Sequence, residues 1–570
     1  MRHILSLSRF TELTLLLFTP ALMADSISPY LDIEFDLKLN RDSGTYLSQQ
    51  SYHLGLIQFN QLQFDLSEKT TSISMGIDEN ANNPITQAQS FKLTNWDNEY
   101  LPLLNNVPLN VSGKSLALSI SDDEKHFVLA TDKETVLFSS TGKRLWHHIE
   151  TDTTISTLIS VDKKFVISLF NNGVLRWLNY ADGTSLFSLY ISPETHDWII
   201  WNPQGYYDTS SSFFNPLRFN TATSTKHSLA QLREQLFSPE KITDTLTGDN
   251  NPSNNISFST QALPEVSFKV KDDLQVNICI RASQTSPHDT VIAFNGVTVS
   301  RNVAEPVNNE AKASSDCQFK TQTTLSRQNN INSIHVSAVS KRLSTRSKAA
   351  IIKTGYKSSH PVSDNTVIII PRTSRHTKLA SLFNNEHRIE LPVNQAIQKL
   401  DNSVFDSFVL YLAADCNILE NDISLHSRDG RYKIKLSQLS HQLQNVNIID
   451  SLVAIDCVVT SNMVNTLTAK RHIYNFIADT GRSLIAQFIT KEQLKSVREK
   501  QSALESVVID ALQGEADHDD DLLIDSAELL DYIKQNLPLK NFELSGDQGV
   551  FYIYKDRQNN FNLPIKLQAQ

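Results

Sequence analysis

Along the first third of the chain, apolar residues fall at every second position. Tyr30–Asn40 reads YLDIEFDLKLN and Leu56–Leu66 reads LIQFNQLQFDL. A period of two is that of a strand with one buried face. LSISDDEKHFVLAT, from Leu118, and TLISVDKKFVISLF, from Thr157, then resemble one another, as do the turns holding Gly142 and Gly183. Both pairs repeat at about 40 residues, the length of a four-stranded propeller blade. Residues 25–210 have room for about four blades, the lower limit for a closed ring. Two are legible.

The pattern then changes twice. Residues 211–262 read as a connector, with helical spacing in HSLAQLREQLF (His227–Phe237) and a polar, turn-rich TGDNNPSNN (Thr247–Asn255). Residues 263–355 alternate again, in VSFKV, LQVNICIRAS, TVIAFNGVTVS and NSIHVSAVS, with a hairpin signal at Asn295–Gly296. Short strands over such a length predict a small immunoglobulin-like β-sandwich. In residues 356–570 the strands become continuous apolar runs: NTVIIIP, FVLYLAA, IIDSLVAID and SLIAQFI, with helical segments between them. That is the pattern of an α/β domain with a mostly parallel sheet. The expected fold is multidomain: N-terminal all-β blades, a central sandwich and a C-terminal α/β domain.

The first 24 residues stand apart. Arg2 and Arg9 precede the apolar LTLLLFT (Leu13–Thr19), then Pro20 and Ala24. This reads as a secretory signal peptide cut after Ala24, which makes the mature protein exported, periplasmic or secreted. No later run approaches the ~18 apolar residues of a membrane span, so no membrane insertion is expected after signal removal. The net charge of −10 without basic clusters argues against nucleic acid as a partner.

Export changes how the four cysteines read. Cys279 and Cys317 fall in the sandwich region, as a disulfide or as two buried thiols. Cys457 follows Asp456 in LVAIDCVVTSN (Leu452–Asn462). It reads as a nucleophile, half of a disulfide, or a small buried side chain.

Five stretches carry a family resemblance: WIIWNPQGYYDTS (Trp198–Ser210), DSFVLYLAADC (Asp406–Cys416), LVAIDCVV (Leu452–Val459), TGRSLIAQFITKEQ (Thr480–Gln493) and ALQGEADHDDDLLIDSAELLDYI (Ala511–Ile533). In this order they resemble bacterial proteins that join a WD40-like propeller to a caspase-like (peptidase C14, metacaspase-type) domain, with a sandwich between. The resemblance covers most of residues 110–560. It implies a catalytic His–Cys dyad, and here the chain departs from the pattern. The family strand ending D.FVFYLAGHG puts its His on Asp415 and the next Gly on Cys416. The motif LLDTCHSG matches its Asp to Asp456, its Thr to Cys457 and its nucleophile to Val458. A slip by one residue restores Cys457 as nucleophile, but none yields a histidine at 414–417.

A peptidase thiol attacks as thiolate and needs a base that later protonates the leaving amine. Aspartate does neither, and its charge raises a neighbouring thiol's pKa. The resemblance implies instead that the strands ending at Ala414 and Asp456 are neighbours, about 4.8 Å apart. Cys416 and Cys457 would then lie within the roughly 6.8 Å that a disulfide tolerates.

Two features remain. Asp517, Asp519, Asp521, Asp525 and Glu528 occupy positions 1, 3, 5, 9 and 12 of a calcium loop. Leu522 stands where glycine normally turns the chain, at a cost of ~1–2 kcal/mol, and a solvated acidic turn capping the next helix fits as well. Trp198, Trp201, Tyr206 and Tyr207 form an aromatic cluster, expected as propeller core or domain contact rather than as a ligand platform. The leading expectation is a non-catalytic, exported pseudo-peptidase that binds proteins, with no cofactor beyond the candidate calcium loop. The alternatives are an active caspase-like endopeptidase using Cys457, and a cell-envelope ligand-binding protein acting through its blades.

Overall fold

The computed structural model describes residues 84–191, 198–210, 226–247, 263–271, 275–282, 288–307, 317–324, 331–340, 345–356, 365–372, 407–461, 466–496, 502–519 and 523–537, with isolated segments outside these spans. The described chain is mostly β, in several antiparallel sheets and one mixed sheet, with few helices.

The sequence repeat is a repeat of sheets. Strands β1 (Ser115–Ile120), β2 (His126–Thr131), β3 (Glu134–Ser139) and β4 (Arg144–Ile149) form one antiparallel meander. Strands β5 (Thr154–Ile159), β6 (Phe165–Phe170), β7 (Leu175–Asn179) and β8 (Ser185–Ile191) form the next. The residues that repeat make the same turns. Ser121 Oγ donates to Asp123 Oδ1 at 2.8 Å, and Ser160 Oγ to Asp162 Oδ1 at 2.7 Å. Gly142 and Gly183 both take positive φ, 84° and 73°, which glycine adopts at no steric cost.

The second sheet does not stop at four strands. Trp198–Trp201 (β9) and Tyr207–Thr209 (β10) add a hairpin to its outer edge, making six. Trp198, Trp201 and Tyr207 are buried, so most of the aromatic cluster is core. Of the N-terminal strands, Tyr30–Ile33 pairs antiparallel with Leu217–Asn220, which lies inside the expected connector. Leu56–Phe59 and Leu62–Asp65 are two short strands paired antiparallel. The signal peptide and the TGDNNPSNN linker lie outside the described residues, apart from Thr247. The connector supplies helices α1 (Leu229–Leu236) and α2 (Pro239–Thr247), the second unforeseen.

Between Glu265 and Tyr356 two antiparallel sheets share one apolar core, with Ile278, Ile280 and Phe319 on one side and Phe294, Val299 and Val336 on the other. This is a sandwich. Cys279 and Cys317 are joined in it as a disulfide, with Cα atoms 5.4 Å apart.

The C-terminal sheet has β11 (Asn365–Ile370), β12 (Ser407–Leu419), β14 (Asp450–Val459) and β15 (Ser483–Thr490) mutually parallel. Strand β13 (Asp422–His426) folds back antiparallel on the end of β12, and β16 (Gly549–Tyr554) runs antiparallel to β15. Apolar clusters cover both faces. One is built with α3 (Leu436–Leu443) and α4 (Thr466–Thr480), the other with α5 (Ala503–Asp510) and α6 (Ser526–Asn536). Burial on both sides is why these strands read as unbroken apolar runs.

The sandwich is seated at the amino-terminal end of this parallel sheet. Ile449, just before β14, belongs to the sandwich core, and Arg301 donates to Asn445 and Gln444 at 3.1 and 3.3 Å. Gly481 ends α4 with φ 66° beside the Asn295–Gly296 turn; a Cβ there would lie 2.2 Å from the Gly296 carbonyl oxygen. The carboxyl end of the sheet points the other way, the end where α/β sheets place their ligands.

Candidate functional site

Asp415, Cys416, Asp456, Cys457 and Val458 converge at that carboxyl end, divided between the two faces of the sheet. Ala414 is the register partner of Cys457, and Cys416 that of Val459. All four belong to the core under α3 and α4. There Cys416 and Cys457 are joined as a disulfide, Cα atoms 5.8 Å apart, both sulfur residues inaccessible. Strand alternation sends Asp415 and Asp456 through the opposite face.

On that face Asp415 and Val458 are register partners. The positions that the resemblance assigns to a catalytic base and nucleophile are therefore neighbours, and they hold a carboxylate and a valine. Arg428 binds Asp415 through two parallel bonds, Nε to Oδ2 and Nη2 to Oδ1, each 3.1 Å. Arg372 lies between the two carboxylates, 3.5 Å from Asp415 and 3.4 Å from Asp456. It also donates to the carbonyls of Ala414 and Asp456 at 3.2 and 3.3 Å, so it ties off the ends of β12 and β14. Asp456 Oδ2 accepts from Tyr411 Oη at 3.0 Å and from Ser502 Oγ at 2.8 Å. Burial, with the Asp456 charge second, holds the Tyr411 phenol well above its ordinary pKa, so it stays a donor. Sequence reading found the two aspartates but missed Arg372, Arg428, Tyr411 and Ser502. Arg372 lies two residues past the end of the first parallel strand, a position that could have drawn attention to it.

No thiol is free among the described residues. The histidines close in sequence go elsewhere. His426 is the register partner of Asp415 on β13, on the far side of β12 from β14. It shares the face of Asp415, opposite to the face of Cys457. His472 contacts the Leu419 carbonyl at 3.0 Å, and His441 lies on α3. In the Cys416–Cys457 bridge the Cys457 sulfur is bonded to carbon and sulfur and carries no thiolate.

The acidic run gathers only in part. Oxygens of Asp517, Asp519 and Glu528 lie within 4.8 Å of one another, and the His518 N–H donates to Glu528. Oxygen ligands of this kind suit a hard cation. Asp521 and the side chain of Asp525 lie outside the described residues.

No family model matches the sequence, and no curated protein matches it. Solved structures that match include Hsv2 of Kluyvelomyces marxianus, at 7% identity over 27% of this chain and 60% of that one, with a TM-score of 0.17. BamB of Moraxella catarrhalis matches at 10% identity over 58% of this chain and all of its own, with a TM-score of 0.16. The Cps50 (Swd1) β-propeller domain of Myceliophteria thermophila matches at 7% identity over 56% and 89%, with a TM-score of 0.14. This chain spans about three fifths of the Hsv2 chain.

Proposed function

We propose that this chain is an exported, non-catalytic binding protein, a scaffold built from propeller-like blades, a sandwich and a degenerate caspase-like domain. One observation carries the reading. The dyad-equivalent positions, Asp415 and Val458, lie side by side, while the nearest sulfur, Cys457, is locked to Cys416 on the other face. Asp415 is engaged by two arginines, and valine has neither a nucleophile nor a proton to offer. Disulfides in two separate modules fit an oxidising compartment. No helix of the described residues is long and apolar enough to cross a membrane. Trp198, Trp201 and Tyr207 are packed inside, which favours a core role for the aromatic cluster over a ligand platform.

The test uses the purified full-length protein and a thiol-directed peptidyl probe. The reading expects no labelling and no cleavage of a peptide library, alongside capture of a protein partner by cross-linking in cells. Labelling that disappears in Cys457→Ala would establish the peptidase instead.

A further inference from the structure

Among the described residues, helix α4 touches the parallel sheet, the second repeating sheet, the connector and the sandwich. Its inner face, with Ala469, Ile473 and Phe476, is part of the parallel-sheet core. One flank reaches the blades. Lys470, 3% exposed, holds its ammonium 3.0 Å from the fully buried Asp208 of β10. The same ammonium lies 4.9 Å from the centre of the Trp198 ring and 5.5 Å from that of Tyr474. The Tyr474 hydroxyl donates to the Ser210 carbonyl at 2.8 Å, and its ring packs against both the parallel-sheet core and the core of blades and connector. At the end of the helix, Asp479 accepts from Arg233 of α1 at 2.9 Å and from Arg346 of the sandwich at 3.4 Å. Next to Lys470, Arg471 donates to the Glu420 carbonyl and His472 contacts that of Leu419. Those carbonyls form the turn between β12 and β13, just beyond Cys416 and the Asp415 cluster.

A buried ammonium is costly to dehydrate, and an apolar side chain of similar size would often serve stability as well. What an ion pair adds is a fixed position: Lys470 meets Asp208 only when α4 and β10 are in one arrangement. We infer that α4 is a clamp, keyed by Lys470, that couples the blade sheet to the carboxyl end of the parallel sheet. Loosening at β9–β10 then loosens the β12–β13 turn, and the reverse.

Amide hydrogen exchange of the full-length protein tests it, with Lys470→Met, Asp208→Asn and the double variant. Each single change should speed exchange at least tenfold in both β9–β10 and the turn at residues 417–423, while β5–β7 stay unchanged. The double variant should be no faster than the singles, because both remove one interaction. A rise in β9–β10 without one in the turn, or single effects that add, overturns the clamp. If Lys470→Met does not fold, Tyr474→Phe carries the test, since it removes the hydroxyl bonded to Ser210 and keeps the ring. A paired rise of smaller size supports the coupling, and an unchanged turn overturns it.

Discussion

Asp415 and Val458 are register partners on parallel strands, and the sulfur one residue before Val458 leaves through the other face of the sheet. A base at 415 and a thiol at 457 could not meet even if both were present, because a one-residue step along a strand reverses the side chain's direction. The first prediction concerns that sulfur. Denatured without reductant, the protein should show no free thiol, and after reduction it should show four. Two or more thiols before reduction would mean that at least one bridge is absent.

The Cys416–Cys457 bridge closes a segment with a sequence separation of 41. Removing it as the Cys416→Ala, Cys457→Ala pair should cost about 2–5 kcal/mol. Urea denaturation under oxidising conditions reads this directly. A loss below ~1 kcal/mol would mean that the packed core, and not the bridge, holds the two strands together.

Arg372 is the only described cation that reaches both carboxylates at the sheet end. Arg372→Met should destabilise by about 3–5 kcal/mol, since it leaves the buried Asp456 without its counter-charge. Adding Asp456→Asn should recover part of the loss. A double variant no more stable than Arg372→Met would place the arginine's role at the Ala414 and Asp456 carbonyls instead.

Gly481→Ala forces a side chain into a left-handed position and against the Gly296 carbonyl. Backbone strain alone costs ~1–2 kcal/mol, and the collision adds to it. Hydrogen exchange should rise in the Asn295–Gly296 turn as well as at the end of α4. Unchanged exchange in the turn would show that the sandwich yields without strain.

Glu150 is buried beside Arg176 and Thr135. Burial pushes its carboxyl up to about 7, against the pull of Arg176. Between the ordinary carboxylate range and about 7 the native state keeps a proton that the unfolded chain has released. Stability from this group is therefore complete in acid and lost as the pH rises towards about 7. Glu150→Gln should remove that slope, which thermal unfolding from pH 4.5 to 7.5 would detect. A variant whose pH profile overlays that of the parent would show that Arg176 keeps Glu150 ionised throughout.

Much of this molecule was legible in one dimension. Alternation marked the first sandwich strands, Glu265–Val270 and Gln275–Arg281, because their side chains are by turns more buried and more exposed. The unbroken runs ending in Ala414 and Asp456 marked the parallel sheet because those strands are dry on both sides. The Ser–Asp turns and the glycines after them marked the repeat, since a tight turn needs particular residues whatever surrounds it. Tertiary structure alone decided the rest. Trp198–Thr209 extends the second repeating sheet, because its hairpin pairs with the edge at β8. Asp456 and Cys457 are adjacent in the chain and on opposite faces of the sheet. Arg372, Asp415 and Asp456 come from three strand ends, and Asp208 and Lys470 from different modules. Pairings of that kind depend on register and packing between distant segments, which no local pattern of polar and apolar residues encodes.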